Sequence, residues 1–182
     1  MLRITTGIAK NKRLKIPNIE GFRGVQEKAK LSLFSIIGDD IKGAVCLDLF
    51  AGSGNMGLEA LSRGASWCDF VDESSTSVES IEFNINDCGF LEMSEVFRRS
   101  AVKYISFCNR KYDVCFIDPF YSQTSLKHLM KELDKVLKES GKVFYFHASS
   151  FDPKELLEDT NLKIIDSRRF GESVFEVIEL KR

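Results

Sequence analysis

From residue 44 onward, short apolar runs alternate with stretches of helical spacing. Residues 44–50 are apolar apart from one carboxylate, Asp48, and predict a buried strand. Gly52 to Gly57 predicts a tight turn, and 58–63 a helix stopped at Gly64. A second strand is expected at 67–71, ending at Asp72, then a helix at 74–86 with a serine- and threonine-rich start. Residues 96–98 predict a third strand and 112–117 a fourth, ended by Asp118-Pro119. Leu126, Leu129, Met130, Leu133, Val136 and Leu137 fall on one face of an amphipathic helix expected over 125–138. A fifth strand at 141–146, a short helix at 153–157, and a hairpin of 162–168 and 174–180 around Phe170-Gly171 complete the pattern. Upstream, 2–6 and 13–16 predict short strands, Pro17 and Gly21 punctuate a loop, and 28–37 predicts a helix ended by Gly38.

Strands separated by helices imply parallel βαβ units. The expectation is therefore an α/β fold: a mixed, mostly parallel seven-stranded sheet with helices on both faces, its antiparallel part supplied by the closing hairpin. A ligand in such a sheet binds beyond the carboxyl ends of the strands, where the strand order reverses. That directs attention to residues 48–54, Asp72 and 118–121.

Composition sets limits on this picture. With 182 residues, 43% hydrophobic and 29% charged, the chain fits one domain with at most a small appendage. Its longest unbroken apolar runs are four residues. A membrane-spanning helix needs about 20 and a secretory signal about 7–15, so neither is expected. Five cysteines with no C-x-x-C pair argue against a disulfide framework or a zinc knuckle, and no metal is expected. This cysteine usage reads as reducing cytosol. The net charge of −1 conceals an asymmetry. Residues 1–30 hold eight bases (Arg3, Lys10, Lys12, Arg13, Lys15, Arg23, Lys28, Lys30) and two acids, Glu20 and Glu27. A basic arm on an acidic body suggests a polyanion such as nucleic acid as the arm's partner, with a solvated surface arm as the alternative.

Gly52-Ser53-Gly54-Asn55-Met56-Gly57 matches G-x-G-x-x-G between a strand and a helix, and Asp72 falls 18 residues beyond Gly54. The glycines let backbone approach a ligand, and the acid suits two ribose hydroxyls, so a nucleotide-like cofactor is expected. A dinucleotide would put its pyrophosphate at the helix amino terminus. Asp48, just before the turn, would repel that group and suits the cationic amine and sulfonium of S-adenosylmethionine. Alternatively, Asp48 caps the loop's backbone amides. Asp118-Pro119-Phe120-Tyr121 is the second signal. A strand-end carboxylate beside an exposed carbonyl can hold both N–H groups of an exocyclic amine, and Tyr121 offers a face for a base to stack on. Asp-Pro also starts ordinary turns. His147 and Trp67 read as structural, and 143–146 as core.

The run 48–54, Asp-Leu-Phe-Ala-Gly-Ser-Gly, followed by 57–65, Gly-Leu-Glu-Ala-Leu-Ser-Arg-Gly-Ala, resembles the RsmD family, which consists of S-adenosylmethionine-dependent methyltransferases of guanine N2 in small-subunit ribosomal RNA. Arg3-Ile4, Gly7, Lys12 and 14–17 resemble its basic opening, Leu33-Phe34 with 36–38 its first helix, and 169–171 its final hairpin turn. The resemblance implies a Rossmann-like class I methyltransferase domain at 39–182, preceded by a basic RNA-facing arm and helix at 1–38. It implies that Asp48, Phe50, Gly52 and Gly54 surround the cofactor's methionine end, that Asp72 holds the ribose, and that Ser100 lies by the adenine. Asp118, Pro119 and Tyr121 would hold the target amine and base. Lys10, Lys12, Arg13, Lys15, Arg23, Lys28 and Lys30 would bind RNA phosphates. A cytoplasmic monomer, with ribosomal RNA or an assembling small subunit as partner, is expected. The chain departs from the family pattern at Gly24, Val25 and Gln26, at Leu31, at Ser100 in place of an acid, at Phe120 in place of a proline, and at Phe146.

Other readings of the same residues are an amino-methyltransferase acting on adenine N6, tRNA or DNA, an NAD-dependent oxidoreductase, and a non-catalytic RNA-binding relative. The nucleoside modified and the cofactor bound distinguish them.

Overall fold

The central strands are apolar on both sides because helices cover both faces of the sheet. The computed structural model describes residues 2–119 and 126–181. In chain order its elements are α1 (Glu27–Ile37), β1 (Val45–Leu49), α2 (Asn55–Ser62), β2 (Trp67–Asp72), α3 (Ser75–Cys88), β3 (Ser94–Arg98), α4 (Ala101–Phe107), β4 (Tyr112–Ile117), α5 (Leu126–Leu133), β5 (Leu137–Ala148), α6 (Lys154–Leu157), β6 (Leu162–Phe170) and β7 (Ser173–Leu180). The strands form one seven-stranded sheet in the order β3-β2-β1-β4-β5-β7-β6. Neighbours from β3 to β5 pair in parallel, and β7 is antiparallel to both β5 and β6. The strand order reverses between β1 and β4, which opens a crevice at their carboxyl ends.

The side-chain period of two divides each central strand between two layers. Cys46, Val114, Phe116, Phe144 and Phe146 pack with Leu33, Phe34, Leu58, Leu61 and Ile81 of α1–α3. Leu47, Leu49, Cys115, Ile117 and Tyr145 pack with Tyr104, Leu129, Met130 and Leu157 of α4–α6. Asp48 is in register with Phe70 and Phe116, so its carboxylate belongs to the α1–α3 face.

The amino-terminal segment shares this core through Ile4, Ala9, Leu14 and Val25. The two strands expected there are a short hairpin held by a single bridge, Arg3 with Arg13. The segment covers α2, all eight residues of which are buried despite Glu59 and Ser62. Those polar groups are satisfied by the arm: Glu59 accepts from Thr5 and Thr6, and Ser62 Oγ accepts from the Ala9 N–H and donates to the Thr6 carbonyl. Gly7 has φ +86°, and a Cβ there would fall 1.7 Å from the Ser62 carbonyl oxygen, so only glycine allows this approach.

Two elements differ from expectation. The helix predicted over 125–138 is α5, ending at Leu133; a turn follows, and Leu137 and Lys138 begin β5. Val136 and Leu137 are buried as the pattern required, but from the turn and the strand. The Tyr112 N–H donates to the Val136 carbonyl at 2.8 Å, and Tyr112 pairs with Leu137, so sheet pairing overrides helical spacing. The other difference is α4, an element not expected, which buries Ala101, Tyr104 and Ile105.

Candidate functional site

The three carboxylates singled out by the sequence stand at the carboxyl ends of β1, β2 and β4. A cavity of about 750 Å³ opens above them, lined by Asp48, Phe50, Gly52, Asp72, Ser100 and Asp118, among others.

The turn after β1 has three positive-φ positions at alternate residues. Phe50 has φ +57°, a left-handed conformation that is uncommon for a bulky residue and marks a constrained site. Gly52 follows at φ +58° and Gly54 at +75°. A Cβ on Gly52 would lie 2.8 Å from the Phe22 ring, which forms a wall of the cavity. Gly54 instead packs inward, where a Cβ would contact Leu58 and Phe70, and it does not line the cavity. Its contribution is to start α2 as its left-handed N-cap. Gly57 lets α2 sit on the sheet, since a Cβ there would meet the Phe70 ring at 2.3 Å.

Asp48 is 3% exposed. One of its oxygens accepts the Gly57 N–H at 2.8 Å, so the capping role anticipated as an alternative is present, and the residue lines the cavity as well. Burial pushes its carboxyl well above the ordinary range; the Gly57 N–H opposes this, and the negative charges of Asp118 and Asp72 add to it. Asp72 ties the turn to α3: one oxygen accepts the Gly52 N–H at 2.9 Å and the other the Ser74 N–H at 2.9 Å. Each oxygen keeps a lone pair for a further partner. Ser100 is the N-cap of α4 and makes no side-chain capping bond, which leaves its hydroxyl available at the cavity wall.

Asp118 lies where two cavities meet. It lines the one above the glycine turn and a second, lined also by Arg23, Pro119, His147 and Ser173. Burial raises its carboxyl to about 7. Phe120 and Tyr121 lie outside the described residues. His147 lines the second cavity with its ring held at both nitrogens, Nδ1 2.8 Å from the Ala148 carbonyl and Nε2 3.1 Å from Glu176.

The arm's cations fall into two groups. Lys10, Lys12, Arg13, Lys15, Arg23 and Lys28 are exposed; Lys12 pairs with Asp87 at 3.2 Å, and the Lys15 ammonium sits 5.2 Å from the Phe83 ring. Lys30, expected among the phosphate ligands, is not available to one. It is 1% exposed, and its ammonium is held by Glu59 at 2.8 Å, the Arg3 carbonyl at 2.7 Å and Asn55 Oδ1 at 2.8 Å. All three of its donors are used within the protein.

Sequence reasoning named Val25 only as a departure from the family pattern and did not find the wall it makes with Ile19 and Phe22. Residues 19–25 have no periodicity, and their only signal is an aromatic next to the glycine at 21.

The chain has relatives in sequence and in fold. The family described as Conserved hypothetical protein 95 matches residues 2–179. YlbH of Bacillus subtilis (strain 168) is 31% identical over 163 residues, 87% of this chain and 89% of its own. "Ribosomal RNA small subunit methyltransferase D" of Buchnera aphidicola subsp. Acyrthosiphon pisum (strain APS) is 28% identical over 144 residues, 78% of this chain and 75% of its own. The solved structure of yhhF from Escherichia coli shares the fold, with a TM-score of 0.84 at 20% identity, covering 100% of this chain and 98% of that one.

Proposed function

The chain belongs to the Conserved hypothetical protein 95 family, the RsmD family, and from that premise we propose that it methylates the exocyclic N2 amine of a guanine in small-subunit ribosomal RNA, using S-adenosylmethionine. The observation that carries this reading is the position of Asp118, which lines the glycine-turn cavity and the neighbouring cavity at once. A strand-end acid at such a junction can face a methyl donor on one side and a nucleobase on the other.

The first cavity's chemistry fits S-adenosylmethionine. The acid buried in it is Asp48, whose ionised form a cationic ligand would stabilise, while its lining cations Arg23, Arg99 and Lys103 are exposed. That arrangement favours a ligand carrying ammonium and sulfonium charges and disfavours a pyrophosphate. Asp72 would hold the ribose with its remaining lone pairs, Phe50 and the backbone at Gly52 would border the methionine end, and Ser100 would face the adenine. Gly54 would act through the turn.

When bound, S-adenosylmethionine supplies an electrophilic methyl group. The rest of the chemistry belongs to this chain. The amine of guanine is a poor nucleophile because its lone pair is delocalised into the ring. Asp118 and the Pro119 carbonyl would accept its two N–H groups and so draw the lone pair back onto nitrogen. Holding that nitrogen in place supplies much of the rate. Asp118 then takes the proton that the alkylated nitrogen releases. Tyr121 would stack on the flipped base. Residues 1–38 are the RNA-facing part, with Lys10, Lys12, Arg13, Lys15, Arg23 and Lys28 on phosphates.

Methyl-labelled S-adenosylmethionine incubated with ribosomal RNA and with small-subunit particles should yield labelled N2-methylguanosine after nuclease digestion. Label on adenosine would overturn the guanine assignment, and no transfer to either substrate would overturn the enzyme reading. Asp118→Ala should abolish transfer while S-adenosylhomocysteine still binds.

A further inference from the structure

Arg98, Arg99 and Lys103 line a single cavity of about 460 Å³ with Glu73, Ser100 and Phe107. Arg98 is the last residue of β3 and is in register with Asp72. Arg99 follows, its N–H on the Asp72 carbonyl at 3.1 Å. Lys103 lies in the first turn of α4, and Phe107 ends that helix. The cavity adjoins the one above the glycine turn, sharing Glu73, Arg99, Ser100 and Lys103 with it.

Three features of this place are not explained by the fold. All three cations are exposed, and none forms an ion pair among the described residues. Other exposed cations, Lys10, Arg13, Lys111 and Lys154 among them, also lack an ion pair among the described residues, so what sets these three apart is their gathering in one cavity against the single acid Glu73. Phe107 is 78% exposed, an aromatic plate set beside unpaired positive charge. Like charges gathered in one concavity repel, and a polyanion relieves that repulsion. Cations along a groove with an exposed aromatic are what a single-stranded nucleic acid binds: phosphates on the charges, a base on the ring.

We propose that this cavity is a second RNA-binding site, taking backbone phosphates on Arg98, Arg99 and Lys103 and stacking an unpaired base on Phe107; it rests on the ribosomal RNA reading above. The arm packs over the α1–α3 face, and α4 packs on the other, so the two basic regions would grip the RNA from both sides of the sheet. β3 stands three places from β4 in the sheet order, so the second site is roughly 15 Å from Asp118 at ordinary strand spacing.

Two substitutions test this outside the cofactor cavity, since neither Arg98 nor Phe107 lines it. Binding of a labelled single-stranded ribosomal RNA oligonucleotide is measured across salt concentrations, with S-adenosylhomocysteine affinity measured in parallel. Arg98→Ala should weaken binding and reduce the salt slope by about 0.7. Phe107→Ala should weaken binding about 5- to 150-fold and leave the slope unchanged. S-adenosylhomocysteine affinity should be unchanged in both. Wild-type affinity and slope in both variants, alongside weakened binding in a Lys10→Ala/Arg13→Ala arm variant, would overturn the second site and leave the RNA reading standing. An oligonucleotide that ignores both sets of substitutions would overturn both. Loss of S-adenosylhomocysteine affinity would make the cavity part of the cofactor site and overturn the inference.

Discussion

The Lys30 ammonium and the Glu59 carboxylate lie 2.8 Å apart with both side chains almost wholly buried, joining α1 to α2 beneath the arm. Burial pulls the Lys30 ammonium below its ordinary range against the opposing charge of Glu59. Glu59 stays below its own range: burial acts to raise it, but Lys30 and the Thr5 hydrogen bonds together outweigh that. The ammonium's other two donors go to the Arg3 carbonyl and Asn55 Oδ1, so the pair is held from both sides. Removing Lys30 leaves the buried Glu59 carboxylate with Arg63 as its remaining cation among the described residues, Nε to Oε1 2.8 Å, so the cost falls toward the low end of the roughly 3–5 kcal/mol of a wholly unpaired buried charge. Lys30→Met should lower stability by that order in urea unfolding. Lys28, two residues away and exposed, should do the opposite: Lys28→Ala leaves stability within about 0.5 kcal/mol and weakens RNA binding.

Phe22 and Gly52 meet at the wall of the cavity above the glycine turn. Alanine at Gly52 must adopt φ +58° and place its Cβ against the Phe22 ring. The left-handed backbone alone costs about 1–2 kcal/mol. Gly52→Ala should therefore weaken S-adenosylhomocysteine binding in calorimetry. Adding Phe22→Ala should recover the part due to ring contact and not the part due to backbone. A double-mutant cycle measures the division; additivity of the two changes would show that the ring does not press on the turn.

The sheet and the glycine turn were legible in the sequence because burial on two faces and positive φ leave local marks: apolar runs at 114–117 and 143–146, glycines at 52 and 54. The three acids were legible because strand ends in such a sheet face the crevice. What was not legible depended on contacts distant along the chain. Lys30 reads as one more base of the arm, and only Glu59 and Asn55 make it a buried ion. Val136 and Leu137 suit a helix as well as a strand, and only Tyr112 decides. Arg98, Arg99 and Lys103 become a cluster once β3 and α4 meet at the rim, and the residues around Phe22 carry no period at all.

Asp118 should impose a pH limb on activity. As an acceptor of N–H bonds it must be ionised, and burial raises its carboxyl to about 7. In the free enzyme, kcat/KM should therefore fall as pH drops below about 7 and level off above it. A profile flat down to about pH 5 would show that Asp118 does not titrate where its burial puts it, or that its ionisation is not needed.

The same burial makes Asp118 a cost to the folded protein. Its ordinary carboxyl value is 3.8, so from there up to about 7 the native state binds its proton more tightly than the unfolded chain does. Stability then falls as pH rises through that window, and above about 7 the native carboxylate bears the full penalty. Asp118→Asn removes the charge and keeps the shape. It should gain roughly 1–3 kcal/mol at pH 8, a range reduced to allow for the residue's partial exposure, and little at pH 4. Thermal unfolding of the two proteins without cofactor, across that range, measures the difference. An equal change at every pH would mean that the substitution acts through packing and not through charge. A gain confined to the alkaline side, in a variant that has lost methyl transfer, would mean that the acid at the junction of the two cavities is held there against the stability of the fold.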